Sequence, residues 1–279
     1  MHSPTRRTAV GIIGGTGVYD PRWLEGAREE TVTTPFGAVT LTAGRMGEQV
    51  VYFLNRHGPG HAVPPHRVNY RANLWALRAA GVTRVIATAA VGAVNRAMTP
   101  GSLVLCDSFL DFTHGRVPTF FEGQAADPAL PDRFRQVVHT DMTEPYCPDL
   151  RARLAAAGRS TGAPVVEAGT YVATEGPRFE SRAEIAAFAR LGGDVVGMTG
   201  VPEVVLAREL GMCYATVALV TNYAAGISPA PLTHAEVLEV MARHQERLRA
   251  VLGQVLPEAG LERRCACATT DPGWEEDPA

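Results

Sequence analysis

Short apolar runs, each closed by Gly, Pro or Asn, recur along the chain and alternate with helical patterns. The runs are rich in Val, Ile and Ala, and they are TAVGIIGG, QVVYFLNRHG, TRVIATAAVGAVN, SLVLCDSFLDF, GTYVATEG, DVVGMTG and YATVALVTN. Runs of this kind are typical of buried strands in a largely parallel or mixed sheet. Because strands and helices alternate, the sequence predicts an α/β fold in which a twisted mixed β-sheet is flanked by helices.

Three helices are indicated by their end signals. The segment NYRANLWALRAAG places apolar side chains around one face and stops at Gly81, a residue that commonly ends helices. Ser181 with Glu184 three residues on predicts a capping box at the start of a second helix. Thr233 with Glu236 predicts the same device at the start of a long amphipathic helix.

The chain has 279 residues and is 46% hydrophobic, which is enough to bury the core of one large α/β domain. No internal repeat, low-complexity linker or shift in composition marks a boundary, so the sequence predicts a single domain over residues 1–264. Residues 265–279 are acidic, contain Pro and show no periodicity, and we expect them to form a disordered tail. Cys265 and Cys267 in this tail are interpreted either as a redox pair or as idle thiols.

Charge and cysteine content exclude several classes of protein. The formal net charge is -3 and no basic block stands out, so nucleic acid is not an expected partner. No apolar stretch approaches the roughly 20 residues of a membrane helix, and the N-terminal apolar run ends in glycines without a signal-peptide cleavage pattern. The cysteines are scattered, so we expect reduced thiols, a cytoplasmic location, no bound metal and no zinc-like cluster. They are Cys106, Cys147, Cys213, Cys265 and Cys267.

Two predicted strands end in groups suited to an anion. The loop GIIGGTG offers backbone amides and the hydroxyl of Thr16, although a purely structural turn explains it equally well. It lacks the G-x-G-x-x-G spacing of a dinucleotide site, and no P-loop lysine follows. In NRHG, Arg56 presents a planar fork of donors for phosphate oxygens, and His57 is expected to add a further donor beside it.

Three more strand ends carry small or polar residues. The stretch TAAVGAVN, residues 88–95, allows a ligand to approach the main chain closely. Met198 and Thr199 end a strand just before a Pro-initiated helix predicted over residues 201–210, and Asn222 follows an apolar strand. Ligands of open α/β sheets bind where the carboxyl ends of strands converge. These residues therefore predict a small-molecule site with an anion pocket.

Several long motifs in a fixed order resemble the trimeric purine nucleoside phosphorylase and methylthioadenosine phosphorylase family. They are GIIGGTG, NRHG, PPHRVNYRANLWALRAAG, YVATEGPRFESRAE, GMTGVPEVVLAREL and TNYAAG, and the similarity runs from about residue 9 to residue 255. The resemblance implies the fold of that family and a phosphorolysis in which inorganic phosphate displaces a purine from C1′ of a ribonucleoside. It also implies a homotrimer or a dimer of trimers, with phosphate as co-substrate and no cofactor.

The same resemblance implies roles for individual residues. Asn222 and His57 are the expected catalytic residues. The expected phosphate site consists of Thr16, Arg56, His57, Ala89, Ala90 and Thr199, with Ala90 acting through its backbone amide. The expected nucleoside site consists of Phe179, Glu180, Met198, Asn222, Ala224 and His234, together with His139 lent to a neighbouring subunit. Methylthioadenosine phosphorylases similar to this chain have a threonine at the position of Ala89, so one hydroxyl donor to phosphate is expected to be missing.

Three of these positions distinguish the purines that such enzymes accept. Adenine-specific members have Ser, Asp and an apolar residue where this chain has Glu180, Asn222 and His234. An ionised Glu180 accepts from N1–H of a 6-oxopurine but repels the bare N1 of adenine. Asn222 accepts from N7–H and donates to O6, and His234 is expected to reach the ribose 5′-hydroxyl. The sequence therefore predicts a purine-salvage enzyme that cleaves inosine and guanosine.

Four alternatives remain open on the sequence alone. Phosphorolysis of S-methyl-5′-thioinosine differs only at the 5′ pocket, and phosphorolysis of S-methyl-5′-thioadenosine comes next. A nucleosidase would use water in place of phosphate and would leave the Arg56 and His57 pair unexplained. A nucleotide-binding module without catalysis would bind ligand without turnover.

Overall fold

A computed structural model describes residues 8–14, 23–228 and 234–274, with the backbone alone described for residues 234–237. One mixed sheet holds the strands β1 Ala9–Gly14, β2 Glu25–Thr34, β3 Gly37–Met46, β4 Gln49–Asn55, β5 Val82–Ala93, β6 Leu103–Leu105, β7 Ser108–Phe112, β8 Val165–Val166, β9 Thr170–Thr174, β10 Val195–Gly197 and β11 Cys213–Tyr223. The helices are α1 Tyr70–Ala79, α2 Pro148–Thr161, α3 Arg182–Arg190, α4 Gly200–Glu209 and α5 His234–Ala259. The predicted α/β class is confirmed.

Strand β5 is the axis of the sheet. The strands of the sheet follow the order β2-β3-β4-β1-β5-β10-β9-β7. Strand β11 pairs with the opposite edge of β5, β6 pairs with β11, and β8 pairs with β6. Strands β1 and β11 are parallel to β5, and β10 is antiparallel to it. The sheet is therefore mixed, and β5 forms hydrogen bonds with three strands, β1, β10 and β11.

Helices cover both faces of the sheet. Helices α1 and α4 pack against one face, and α2 and α5 pack against the other. Strand β11 shows the alternation, because Ala218 and Val220 join the core of the first face while Val217 and Leu219 join the core of the second. All four are completely buried. The uninterrupted apolar run of β11 thus reflects burial on both faces.

Two of the predicted helix ends are found in the structure. The predicted capping box of α3 is present, because Glu184 N–H donates to Ser181 Oγ at 3.2 Å and the Glu184 carboxylate accepts from Ser181 N–H at 2.7 Å. Helix α1 ends before Gly81, whose φ of +80° suits glycine. The predicted cap at Thr233 lies outside the described residues. None of the helices in the described residues combines the length and the apolar composition that a bilayer span requires.

Two strand predictions need correction. SLVLCDSFLDF contains two strands, β6 and β7, rather than one. Asn222 lies inside β11 rather than beyond it. Strand β5 ends in small residues at Ala93, as predicted. The hairpin of β2 and β3 was missed, because β2 is exposed over most of its length and lacks an apolar run.

The expectation of a disordered tail is wrong for residues 265–274. Asp271 accepts from Arg78 Nη2 at 2.7 Å, and Thr270 Oγ1 donates to the carbonyl of Arg208 at 2.5 Å. The indole of Trp274 meets the ring of Trp75 edge-on, with the ring centroids 4.7 Å apart. A few contacts with residues far away in the sequence hold this segment in place. No periodic pattern in the sequence predicts these contacts. Residues 275–279 lie outside the described part of the chain.

Replacement of Trp274 by Ala tests this docking. The change removes the contact with Trp75, so we expect the free energy of unfolding to fall by about 1–3 kcal/mol. Chemical denaturation of the variant beside the parent protein measures the difference. Leu191→Ala is the control, since Leu191 is 59% exposed and its truncation should change little. Equal stability of the Trp274 variant and the parent would show that the tail does not pack.

Candidate active site

The hydrogen-bond ladder along one edge of β5 has a gap. Strand β1 pairs with β5 only as far as Ala87, and β10 pairs with it only at Gly92 and Ala93. Within the described part of the chain, residues 88–91 therefore have no strand partner on that edge, although β11 pairs along the other edge. Strands β1 and β10 run in opposite directions, so their carboxyl ends approach the gap from its two sides. Buried backbone groups in such a gap need partners.

Arg56 lies at this gap, directly after β4. Its Nη1 donates to the carbonyl of Thr88 at 3.0 Å. Because alternate residues of a strand direct their backbone groups to the same edge, the N–H of Ala90 faces the same gap. Ala90 is exposed within an otherwise buried stretch of β5. The gap thus presents a main-chain donor beside a guanidinium group.

A cavity of about 430 Å³ opens at the gap. It brings together most of the residues that the sequence analysis assigned to the site, namely Arg56, His57, Ala89, Ala90, Phe179, Glu180, Met198, Thr199, Asn222 and Ala224. His139 is exposed and does not line the cavity of its own chain. Thr16 and the side chain of His234 lie outside the described residues.

A buried carboxylate holds Arg56 in place. Glu203, at the start of α4, accepts from Arg56 Nε at 2.7 Å and from Arg56 Nη2 at 2.8 Å. Tyr214 adds a third hydrogen bond to the same carboxylate at 2.6 Å. Burial lowers the pKa of Arg56, but the carboxylate of Glu203 raises it by more, so the guanidinium stays charged. Sequence reasoning missed Glu203 because it lies 147 positions away from its partner.

The remaining donors of Arg56 are free to bind a ligand. A guanidinium has five N–H groups, and Glu203 and Thr88 take three of them. Two N–H groups of this cavity-lining side chain have no partner among the described residues. Thr199, the N-cap residue of α4, also lines the cavity, and its side chain makes no capping bond to that helix. These groups form a donor set suited to the oxygens of a tetrahedral anion.

His57 differs from the donor that the sequence predicts. Burial lowers its pKa to about 4, so the imidazole is neutral at pH 7. Its Nδ1 lies 2.8 Å from the carbonyl of Val63, and a carbonyl only accepts, so Nδ1 carries the proton. Nε2 of the neutral ring is then an acceptor. His57 donates from Nε2 only after it takes up a second proton.

The other end of the cavity carries a carboxylate and an amide. Glu180 is buried, and its Oε1 accepts from Thr174 Oγ1 at 2.7 Å. The amide of Asn222 accepts from Thr221 Oγ1 at 2.7 Å and donates to the carbonyl of Tyr223 at 3.0 Å. Among the described residues, one N–H and one lone pair of the Asn222 amide remain without a partner, because the amide has two donors and two acceptor sites.

Apolar groups form the walls between the two ends. Phe179 is 40% exposed and lines the cavity, as does Met198. Gly176 is needed for this arrangement, because its φ is +67° and a Cβ there would lie 2.6 Å from Met198 Sδ. Leu238 and Met241 of α5 add an apolar rim that the sequence analysis did not identify.

Comparison with known proteins identifies the family. The family model of the phosphorylase superfamily matches residues 9–257, and the chain belongs to that superfamily. The 6-oxopurine nucleoside phosphorylase of Pyrococcus furiosus is 53% identical over 258 residues, which cover 92% of this chain and 96% of that protein. A probable S-methyl-5′-thioinosine phosphorylase of Methanopyrus kandleri is 48% identical over 269 residues, covering 96% and 99%.

Solved structures agree with this assignment. Methylthioadenosine phosphorylase from Schistosoma mansoni, solved in complex with adenine, matches with a TM-score of 0.88 at 34% identity. The match covers 96% of this chain and 97% of that one. The resemblance seen in the sequence motifs is confirmed, and the chain is an enzyme, a pentosyltransferase of the nucleoside phosphorylase type.

Arg56→Lys tests the donor set at the gap. Lysine keeps the charge but cannot bind Glu203 through two groups and still donate twice to an anion. Loss of one or two charge-assisted hydrogen bonds should raise the KM for phosphate roughly 10- to 100-fold. Steady-state kinetics at saturating nucleoside measures this change, and an unaltered KM for phosphate would contradict the assignment. Arg159→Lys, at an exposed position on α2, is the control.

Titration of His57 tests its protonation state. In 13C-histidine NMR spectra of the phosphate-free protein, one of the eight histidines should titrate near pH 4, and His57→Asn should remove that signal. Phosphate should raise this pKa, because a nearby anion favours imidazolium. A pKa that phosphate leaves unchanged would place His57 away from the anion. The protein should also lose stability as pH falls from 6.5 towards 4, since the unfolded chain takes up this proton first.

Proposed function

We propose that this enzyme is a purine nucleoside phosphorylase that cleaves inosine and guanosine with inorganic phosphate, giving the free base and ribose 1-phosphate for purine salvage. The observation that carries the proposal is the gap in the ladder of β5, where two N–H groups of Arg56 lack a partner among residues 8–14, 23–228 and 234–274 and lie beside the main-chain donor of Ala90. The Pyrococcus relative named a 6-oxopurine nucleoside phosphorylase supports this choice.

The phosphate end stabilises charge that develops on the sugar. Cleavage of the N-glycosidic bond builds positive charge on the ribose ring and negative charge on the purine. Because Glu203 balances the charge of Arg56, the site binds phosphate by directed hydrogen bonds rather than by excess positive charge. The bound anion then keeps more of its own negative charge for the cationic sugar. Held beneath C1′, it is also positioned for attack.

His57 accommodates the proton of the anion in this proposal. Phosphate near pH 7 carries one or two protons, and a neutral His57 accepts one of its P–OH groups through Nε2. Thr199 and Arg56 donate to the oxygens without protons. The set therefore matches a partly protonated phosphate better than a set made only of donors would.

The base end distinguishes 6-oxopurines from 6-aminopurines. The free N–H of Asn222 stabilises O6 and the charge that the leaving purine acquires, while the remaining lone pair of its amide accepts from N7–H. Glu180, held by Thr174, accepts from N1–H. Adenine offers an acceptor at N1 and a donor at C6, so both groups would be mismatched. Buried mismatches of this kind cost about 1–3 kcal/mol each, which is enough to reverse a preference.

Phosphorolysis of S-methyl-5′-thioinosine is the second candidate. It uses the same 6-oxopurine base and differs only at the 5′ group. The apolar rim of Leu238 and Met241 favours a methylthio group, whereas the predicted His234 favours a hydroxyl. The Methanopyrus relative carries the corresponding name.

We also propose that the enzyme works as a homotrimer, or as a dimer of trimers, in the cytoplasm, without a cofactor. His139 lies in an exposed segment beside Val137 and Val138, which are 73% and 44% exposed. An apolar exposed segment of this kind suits a contact with a neighbouring subunit, whose cavity His139 would then complete. The expected partners are purine nucleosides and phosphate, not nucleic acid or membrane.

A substrate panel tests the reaction. Base release from inosine, guanosine, adenosine, S-methyl-5′-thioinosine and S-methyl-5′-thioadenosine should be measured with and without phosphate. We expect fast release from inosine and guanosine, little from adenosine, and release only when phosphate is present. Equal rates without phosphate would establish a nucleosidase, and binding without turnover would establish a binding module.

Asn222→Asp tests the choice of base. An aspartate at this position repels O6 and accepts from the N6 amine of adenine. The ratio of kcat/KM for inosine to that for adenosine should therefore fall by about 10- to 100-fold. Asn69→Asp is the matched control, because Asn69 caps α1 away from the cavity and Asp also caps helices well. An unchanged ratio in the Asn222 variant would refute the assigned role of the amide.

A further inference from the structure

Four of the five cysteines form a cluster, contrary to the expectation of scattered thiols without a zinc-like arrangement. The Sγ atoms of Cys147, Cys213, Cys265 and Cys267 all lie within 4.8 Å of one another. We propose that they bind one zinc ion in a structural tetracysteine site. The site is independent of the proposed phosphorolysis.

The distances suit a metal held by all four sulfurs. In a tetrahedral ZnS₄ site with Zn–S bonds of about 2.3 Å, the sulfurs are about 3.8 Å apart. The Sγ atoms of Cys213 and Cys265 are 3.4 Å apart, and every other pair lies within 4.8 Å. Two separate disulfides would need only two close pairs of sulfurs. A metal site needs all four sulfurs close to one another, and this is the arrangement that the structure shows.

The position of Cys147 suits a metal ligand. Cys147 is the N-cap of α2, and its Sγ accepts from the N–H of Leu150 at 3.5 Å. The positive end of the helix dipole and an N–H donor both stabilise negative charge on sulfur. The backbone N–H of Cys147 donates to the carbonyl of Tyr214 at 2.7 Å, which fixes this ligand beside the start of β11.

The C-terminal segment is anchored where it supplies the other two ligands. Arg263 donates to the carbonyls of Gly211 at 3.1 Å and Thr83 at 3.3 Å, just before Cys265. Thr270 Oγ1 donates to the carbonyl of Arg208 just after Cys267. Hydrogen bonds on both sides of Cys265 and Cys267 in the sequence therefore hold these two residues at the cluster.

Ligand type and burial define the kind of site. Four thiolates are soft ligands, and a tetrahedral S₄ set is typical of structural zinc. Cys147, Cys213 and Cys267 are buried, so no position is left open for a substrate, while the half-buried Cys265 leaves a route of entry. Binding releases the thiol protons to solvent.

The site is too far from the cavity to take part in catalysis. Cys213 begins β11, and Asn222 lies nine residues further along the same strand, which corresponds to about 30 Å. The ion instead joins the start of α2, the start of β11 and the C-terminal segment. Its removal should therefore lower the stability of the fold and leave the chemistry of the cavity unchanged.

Metal analysis of the full-length protein tests the proposal. Protein purified under reducing conditions without chelator and then dialysed should contain about one zinc per chain by mass spectrometry of the metal. Cys265→Ser and Cys267→Ser should each reduce the zinc content at least 10-fold and lower the Tm. Cys106→Ser is the matched control, because Cys106 is a buried thiol outside the cluster and should keep the zinc.

Two measurements on the unmodified chain keep the test independent of how the variants fold. Cobalt added to chelator-treated protein should give the charge-transfer and d–d bands of a tetrahedral cobalt thiolate. Metal-free protein should have five titratable thiols in denaturant without any reductant. Protein that lacks zinc and shows no cobalt bands would overturn the proposal, as would cluster thiols that react only after reduction.

Phosphorolysis measured on the same samples separates this proposal from the proposed function. Activity of the zinc-free variants at a temperature where they are folded should equal that of the parent. Zinc bound by a protein that cleaves none of the nucleosides would uphold the metal site and reject the function. Nucleoside cleavage by a protein that binds no zinc would reject the metal site and uphold the function.

Discussion

The main-chain gap on one edge of β5 is the constraint on which the site depends. Backbone groups buried in a sheet need hydrogen-bond partners, and in the part of the chain that the structure describes no strand lies beside residues 88–91 on that edge. Arg56 satisfies the carbonyl of Thr88. The N–H of Ala90 faces the cavity, where the proposed phosphate would accept from it.

The ion pair of Arg56 and Glu203 gives the gap its chemical character. A buried charge needs a partner, and Glu203 supplies one with two hydrogen bonds, reinforced by Tyr214. The attraction between the two charges offsets part of the cost of removing each of them from water. The orientation of the guanidinium is set at the same time, so its two unused N–H groups are in place before any ligand arrives.

The two ends of β11 serve different purposes. Asn222, near its carboxyl end, belongs to the cavity, while Cys213, at its start, belongs to the cysteine cluster. The strand between them is completely buried and pairs with β5 along its length. One rigid strand thus connects the cavity to the cysteine cluster.

The sequence by itself determined the α/β class, the helix ends marked by Ser181 and Gly81, and most of the residues around the cavity. These features are local: capping, apolar runs and short motifs depend on residues close together in the chain. The tertiary structure alone decided the pairing of Arg56 with Glu203, the neutral state of His57, the gap in β5, and the meeting of Cys147 with Cys265 and Cys267. Each of these depends on segments far apart in sequence, or on burial, and no spacing in the chain encodes such proximity.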